Sequence, residues 1–192
     1  QPIINQPEIG FLGFIVQRKQ NVLHFLLQAK IEPGNLNVIQ LSPTLQATRS
    51  NYTRVHKGRS PLYLEYFTGE KKVEILVDQL QSEQGARFYQ KRNRNIIVEV
   101  DENEELPVYE NFVWASLGQI KELLTYPNVV NMDTRTVISC IQYGNYSEKD
   151  LQLLSVFRLD TNLGHSDSFL YSVLSSDNHY NTMNSIIRWL TS

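Results

Sequence analysis

Two stretches of apolar/polar alternation, separated by a Pro-Gly break, constrain the fold of this chain more than anything else in it. In residues 22–32 (VLHFLLQAKIE), Leu23, Phe25, Leu27, Ala29 and Ile31 share one face of an extended strand. Val22, His24, Leu26, Gln28, Lys30 and Glu32 share the other. The first face is apolar throughout and has to meet a core. The second turns polar at Gln28, just before Pro33-Gly34 reverses the chain. Residues 38–50 alternate again, with Gln40, Ser42, Thr44, Gln46, Thr48 and Ser50 on one side and Ile39, Leu41, Leu45 and Ala47 on the other. Pro43 withholds a backbone donor, which predicts an edge position or a bulge beside it. The polar positions of residues 22–63 mix amides, hydroxyls and both signs of charge. A surface hairpin does not need such variety; a pocket for a polar, multiply hydroxylated ligand does.

The flanking pattern supplies the remaining elements. Residues 9–18 (IGFLGFIVQR) read as a buried strand, with Gly10 and Gly13 marking a bulge or a close backbone approach. The polar turn Lys19-Gln20-Asn21 joins it to the 22–32 strand as an antiparallel hairpin. Residues 62–67 (LYLEYF) form a short strand or an aromatic anchor, and residues 73–80 a strand with Val73, Ile75 and Val77 on one side. Residues 82–91 suit a short helix with Ala86, Phe88 and Tyr89 inward; residues 91–100 end as a strand whose Ile96, Val98 and Val100 face one way, with Arg92 and Arg94 on that same side. The acidic run 101–107 reads as a solvated turn. Ser116 N-caps a helix bearing Leu117, Ile120, Leu123 and Leu124 at helical spacing, and residues 132–141 form a second, with Met132, Val137, Ile138 and Ile141 inward. Strands followed by helices give an α+β domain, a mixed sheet that needs helical cover. Its bounds are 1–141, followed by a helical tail or connector at 142–192.

Charge and cysteine content exclude several classes. A net charge of −2 offers no basic field for nucleic acid or an anionic membrane, and no apolar run is long enough to span a bilayer. Cys140 is the only cysteine, so an internal disulfide and a cysteine-based zinc cluster are excluded; a reducing cytoplasm suits it. No secretory signal pattern opens the chain. There is no Walker loop, Rossmann fingerprint, nucleophile elbow or zinc-protease motif. The four histidines lack metal-ligand spacing; His24 reads as a hydrogen-bonded strand residue and Cys140 as core.

Lys91-Arg92-Asn93-Arg94-Asn95 is the clearest basic patch. It is either a solvated strand entry or a diphosphate site, where guanidinium forks and amide donors meet phosphate oxygens. Ser82, Glu83 and Arg87 lie beside it in sequence. Glu83 reads equally as an exposed helix-start carboxylate or a catalytic one, and Asp133 with Arg135 as a helix-start pair.

The segments QAKIEPGNLNVIQLSPTLQATRSNYTRVH, YLEYF, LQSEQGARFYQKRNRNIIVEV, WASLGQIKELL and VNMDTRTVISC, in this order between residues 10 and 141, resemble the nucleoside-diphosphate-hexose 2,3-dehydratases of deoxysugar biosynthesis. The resemblance implies a Nudix-like fold, two related repeats per polypeptide, dimerisation and a nucleotide-sugar ligand. This chain has the length of one repeat and looks most like the first. The glutamate-rich metal helix of a Nudix hydrolase does not follow Glu32-Pro33-Gly34. The implied reaction is loss of water across C2–C3 of a nucleotide-linked 4-keto-6-deoxyhexose, needing no redox cofactor and no evident metal. Glu83 or His56 would be the base, with Tyr52 and Lys30 polarising or protonating oxygen. Gln28, Gln40, Ser42, Thr44, Gln46, Thr48, Ser50 and Asn51 would hold sugar hydroxyls and base edges. Arg49, Arg54, Arg87, Arg92 and Arg94 would neutralise the diphosphate, with Asn93 and Asn95 beside them. The alternative is a noncatalytic repeat that binds a nucleotide sugar and pairs with a second repeat or subunit.

Overall fold

The computed structural model describes residues 2–53, 60–142, 169, 186 and 188–190. Strands β1 (Gly10–Lys19) and β2 (Val22–Ile31) form the expected antiparallel hairpin, registered Val16 to Phe25 and Lys19 to Val22. Gln20 and Asn21 turn the chain at φ 50° and 64°, the paired left-handed geometry that matches strand twist in a two-residue loop. β6 (Arg92–Val100) lies parallel to β1, and β5 (Glu74–Ser82) pairs antiparallel with β6. β7 (Phe112–Ser116) runs antiparallel to β2. With β3 (Ile39–Ser42) on β2 and β4 (Leu45–Ala47) on β1, the described residues build a seven-stranded mixed sheet. Its helices are the single turn α1 (Arg49–Tyr52), α2 (Leu117–Leu123) and α3 (Met132–Ser139). The domain is α+β, as its pattern predicts.

The hairpin does not stay closed. β1 and β2 pair directly only as far as Val16 and Phe25; beyond them Phe11, Leu12 and Gly13 pair with β4, and Gln28 to Ile31 pair with β3. The chain passes from one partner to the other at Pro43-Thr44. Where Ile15 and Leu26 would form the next rung, the Thr44 hydroxyl takes their place, accepting from Ile15 N at 2.9 Å and donating to Leu26 O. The expected single strand over residues 38–50 is therefore two short strands and a helical turn. Its side-chain alternation breaks at the switch, since Leu41 faces one core and Leu45 and Ala47 the other.

Both sheet faces are covered. On one, Phe14, Phe25, Leu27 and Ile97 pack under α2 and α3, joined by Phe169 and Ile186 at 2% and 1% exposure. Phe169 and Ile186 thus belong to this domain's own core, with Trp189 and Leu190 packed against it. On the other, Tyr63, Leu64, Tyr66 and Phe67 anchor a short 3-10 turn against Ile15, Leu26 and Val98. Gly13 marks a close approach: a Cβ there would stand 2.3 Å from the Phe67 ring. Ser116 caps α2 through a reciprocal box, accepting from Gln119 N at 3.3 Å while Gln119 Oε1 accepts from Ser116 N at 2.9 Å.

Several expectations are corrected. Residues 82–91 form a turn between antiparallel β5 and β6, not a helix; Ala86 and Tyr89 are exposed, and only Phe88 is half-buried. A bulge between Ile75 and Val77 buries Leu76 and Val77 and leaves Ile75 exposed, defeating the simple alternation. The acidic turn is pinned rather than free: Gln17 Nε2 donates to the carbonyls of Asp101 and Glu104, both at 2.8 Å, and the Tyr66 hydroxyl donates to Glu104 at 2.7 Å. Met132 is 39% exposed because Asn131, not Met132, seats the start of α3.

Replacing Thr44 with valine keeps the shape and strands Ile15 N and Leu26 O in the core. Burying two unpaired backbone groups is expected to cost about 2–4 kcal/mol. Urea denaturation measures it; a valine variant as stable as the parent would show that the switch does not depend on this hydroxyl.

Candidate functional site

Opening the hairpin leaves a cleft of about 240 Å³ at that end of the sheet. Lys30 enters it from the end of β2, Gln46 from β4, Asn51 from α1, Glu83 from just past β5, Asn93 from β6 and Asp133 from the first turn of α3. A second hollow of about 170 Å³ adjoins it and shares Leu12, Glu83, Asn93 and Asp133, with Asn95 and Thr136 beyond. Gly10 makes room for this wall, because a Cβ there would meet Asn93 Oδ1 at 3.1 Å and Ala47 O at 3.0 Å.

Alternation explains which polar groups arrive. In β6, Asn93, Asn95 and Ile97 face the helices, while Arg92, Arg94, Ile96 and Val98 face the aromatic turn. Asn93 donates to Glu83 Oε2 at 2.6 Å and fixes that carboxylate over the cleft. On the helix side, Asn131 Oδ1 caps α3 by accepting from Thr134 N at 2.8 Å, and Asn131 Nδ2 reaches Gln46 Oε1 at 3.4 Å. Gln46 in turn donates to Glu32 Oε1 at 2.9 Å, and Lys30 Nζ stands 3.4 Å from the same oxygen. A chain of amides thereby ties the start of α3 to the ends of β2 and β4.

The carboxylates are held differently. Burial alone would push Glu32 up, but the hydrogen bond from Gln46, the Lys30 ammonium and the bond from Asn35 more than offset it, leaving its pKa below the ordinary value. Asp133 has no such help. Burial first, then the negative charges of Glu83 and Glu32, push it up to about 6, and Lys30 offsets only part of this. Two nearby carboxyl groups with different proton affinities suit a division into proton acceptor and proton donor.

Two members of the basic patch, Lys91 and Asn95, end on the cleft side of the sheet. Lys91 is 6% exposed at the cleft; its Nζ donates to Glu8 O at 3.1 Å and lies 5.8 Å from the Phe88 ring centre. Among the described residues no carboxylate stands within ion-pair distance of it. Asn95 is fully buried, and its Oδ1 has no hydrogen-bond partner among the described residues.

Of the residues expected to act on a ligand, the cleft gathers Lys30, Gln46, Thr48, Asn51, Glu83 and Asn93, with Asn95 in the adjoining hollow. Ser50 bonds Thr48 at 3.0 Å at its edge. Ser42 and Thr44 spend their hydroxyls on the backbone, and neither lines the cleft. Gln40 is buried and Gln28 half-buried on strands that lead towards it, and neither lines it. Tyr52 belongs elsewhere: it packs on Phe11 and lines a larger hollow of about 620 Å³ with Tyr63, Tyr66 and Tyr109. Arg94 is engaged by Asp78 through two bonds of 2.7 and 2.6 Å, and Arg92 shares that opposite face. Arg49 and Arg87 are exposed outside the cleft, the latter over Phe88. His56 and Arg54 lie outside the described residues. Asp133 and Asn131 were missed as site residues because their burial depends on a partner strand some 85 positions away; the Asn cap before Met132-Asp133 was the one local signal.

An α+β domain with an amide- and carboxylate-lined cleft at the mouth of a split hairpin is the class that the coordinates define. The sequence profile of the NDP-hexose 2,3-dehydratases matches residues 1–141, and the chain belongs to that family. It is similar to dTDP-4-dehydro-6-deoxy-alpha-D-glucopyranose 2,3-dehydratases of three bacteria. Identity to the Saccharopolyspora spinosa protein is 59% over 143 residues, 74% of this chain and 29% of that one. For the Amycolatopsis orientalis protein it is 48% over 161 residues, 82% of this chain and 34% of that one. For the Streptomyces violaceoruber protein it is 51% over 143 residues, 72% and 31%. The chain spans about a third of the length of these curated relatives.

A raised Asp133 pKa has a sign. The folded protein holds this proton more tightly than the unfolded chain, whose aspartates titrate near 3.9. Stability contributed by Asp133 is therefore full at low pH and declines as pH rises from about 4 to about 6. Ionisation costs up to roughly 3 kcal/mol. Asp133→Asn is expected to be more stable than the parent at pH 7 and to lose that slope, read from urea midpoints between pH 4 and 8. Equal midpoints at pH 7 would refute the assigned proton affinity.

Proposed function

We propose that this chain forms a nucleotide-sugar repeat of a 2,3-dehydratase, eliminating water across C2–C3 of an NDP-4-keto-6-deoxyhexose, with a thymidine diphosphate sugar as the expected substrate. The observation that carries the reading is the pairing of Asp133 with Glu83 across a cleft inside the family-matched segment. The relatives' printed activity supplies the chemistry those two groups would perform.

The C4 ketone acidifies the hydrogen on C3. Glu83, oriented by Asn93, takes that proton, and the electron pair passes into an enolate towards O4. Lys30, at the cleft wall, places positive charge where the enolate oxygen develops. The pair returns to form the C2–C3 double bond as the C2–O bond breaks. Asp133, protonated over part of the neutral range, delivers its proton to the departing hydroxyl so that it leaves as water. The product enol, with its hydroxyl on C3, tautomerises to the 3,4-diketo sugar. A Nudix-like fold, pairing with a second repeat or subunit and a cytoplasmic setting complete the proposal. They are supported by the family relationship and by the chain's share of its relatives' length.

That same share favours a second reading: a repeat that binds the nucleotide sugar while another part of a longer enzyme performs the chemistry. Incubating the protein with dTDP-4-keto-6-deoxyglucose and following the diketo product distinguishes them. Under the first reading turnover occurs, and Glu83→Gln and Asp133→Asn each lower kcat by about 10²–10⁴-fold while binding persists. Binding without turnover in the parent supports the second reading, and full turnover in both variants removes these roles.

A further inference from the structure

We propose that the cleft is polar along its length: Lys91, with Phe88 beside it, receives the diphosphate end of the ligand, and Asn95 receives a hydroxyl of the sugar. The assignment rests on the nucleotide-sugar reading above and goes beyond it by fixing which way the ligand lies. Sequence pattern had placed the diphosphate on Arg92 and Arg94, but the sheet turns both to the opposite face and Asp78 engages Arg94.

Among the described residues that line the cleft, Lys91 is the cation left for that task. It is only 6% exposed and meets one backbone carbonyl, and no carboxylate neutralises it among the described residues. An ammonium has three donors, so two remain for an incoming anion. Burial of a charge without a counter-ion is costly in the free protein, and a diphosphate arriving at this point supplies the missing partner. Phe88, half-buried in the same wall, offers a ring face against which a nucleobase or the ribose can lie.

The other end is defined by an acceptor. Asn95 sends Nδ2 to Asn93 O at 3.2 Å, and its Oδ1 is buried with no partner among the described residues. Buried carbonyl oxygens of this kind nearly always find a donor. The hollow it lines also holds Glu83, Asp133 and Thr136. A sugar hydroxyl placed there both satisfies Oδ1 and sets the ring against the two carboxyl groups. Lys30 already sits with Glu32, so the two lysines of the cleft divide the work: one is ion-paired near the carboxylates, the other open to an anion.

Calorimetric titration of the protein with dTDP and with a dTDP-hexose separates the two ends. Lys91→Met, which keeps the methylene packing, is expected to weaken both ligands by about 10- to 100-fold, the range for losing a hydrogen bond from a charged group. Asn95→Leu is expected to leave dTDP unchanged and to erase the advantage of the dTDP-hexose over it. Lys91→Arg should retain binding. Should Lys91→Met or Asn95→Leu fail to fold, the parent still answers for each end: dTDP should slow acetylation of Lys91 but not of exposed Lys121, and Asn95→Ser replaces the leucine variant. Equal affinities in the variants, or no protection of Lys91, overturn the orientation while leaving the ligand class intact. Absence of binding of either compound to the parent overturns the nucleotide-sugar reading itself.

Discussion

The Thr44 hydroxyl holds apart two strands that would otherwise zip together. By accepting from Ile15 N and donating to Leu26 O, it replaces one rung of the β1–β2 ladder with a side-chain bridge. Both backbone groups remain satisfied, so the separation does not leave buried polar atoms unpaired. From that rung outward, β3 and β4 take over as partners of β2 and β1, and the sheet spreads. Leu12, Gln46 and Lys30 line the mouth of that opening. A fully closed hairpin would have brought β1 and β2 side by side there and left no cleft.

What fills the opening is a set of groups that do not favour stability individually. Asp133 carries a carboxyl in a buried position near two others; among the described residues Lys91 has no carboxylate partner and Asn95 Oδ1 no donor. A core chosen for stability alone would replace each with an apolar residue. The surrounding structure tolerates them because the sheet is packed on both faces, with Phe14, Phe25 and Ile97 under the helices and Ile15, Leu26 and Val98 under the aromatic turn. Destabilising polar groups gathered at one cleft are what the proposed ligand site calls for.

Much of this was legible from period two. The hairpin, its Gln20-Asn21 turn, the apolar face of β2 and the Ser116 cap follow from local residue types; Gly13 marked a close approach but not its distant partner, Phe67. The same rule already separated Arg92 and Arg94 from Asn93 and Asn95, since the arginines share a side with Ile96 and Val98. Grouping all four as one anion site set charge composition above strand geometry, and geometry prevailed. The strand switch at Pro43-Thr44 was visible only as a proline irregularity, because which strands exchange partners is a tertiary fact. The helix expected over residues 82–91 lost to the antiparallel pairing of β5 with β6, whose ladder runs from Glu74 opposite Glu99 to Ser82 opposite Arg92 and outweighs a weak local propensity. Asp133 was hidden for a related reason: a carboxylate in the first turn of a helix is ordinarily solvated, and burial beside Glu83 and Glu32 makes this one different.

The connector sharpens how function and folding divide along the chain. The family profile matches residues 1–141, yet Phe169 and Ile186 are among the most buried side chains of the helix-covered core, and Phe169 lies 6.3 Å from the Phe25 ring centre. Phe25 sits directly against the Val16 rung where the hairpin is still closed. Phe169 therefore braces the closed end of the hairpin, while the described residues that line the cleft fall between Gln6 and Thr136. Removing the connector would be felt first as lost core packing and only through that at the site. The opening that defines the cleft depends on one end of β1 and β2 being free to separate, and the other end being held.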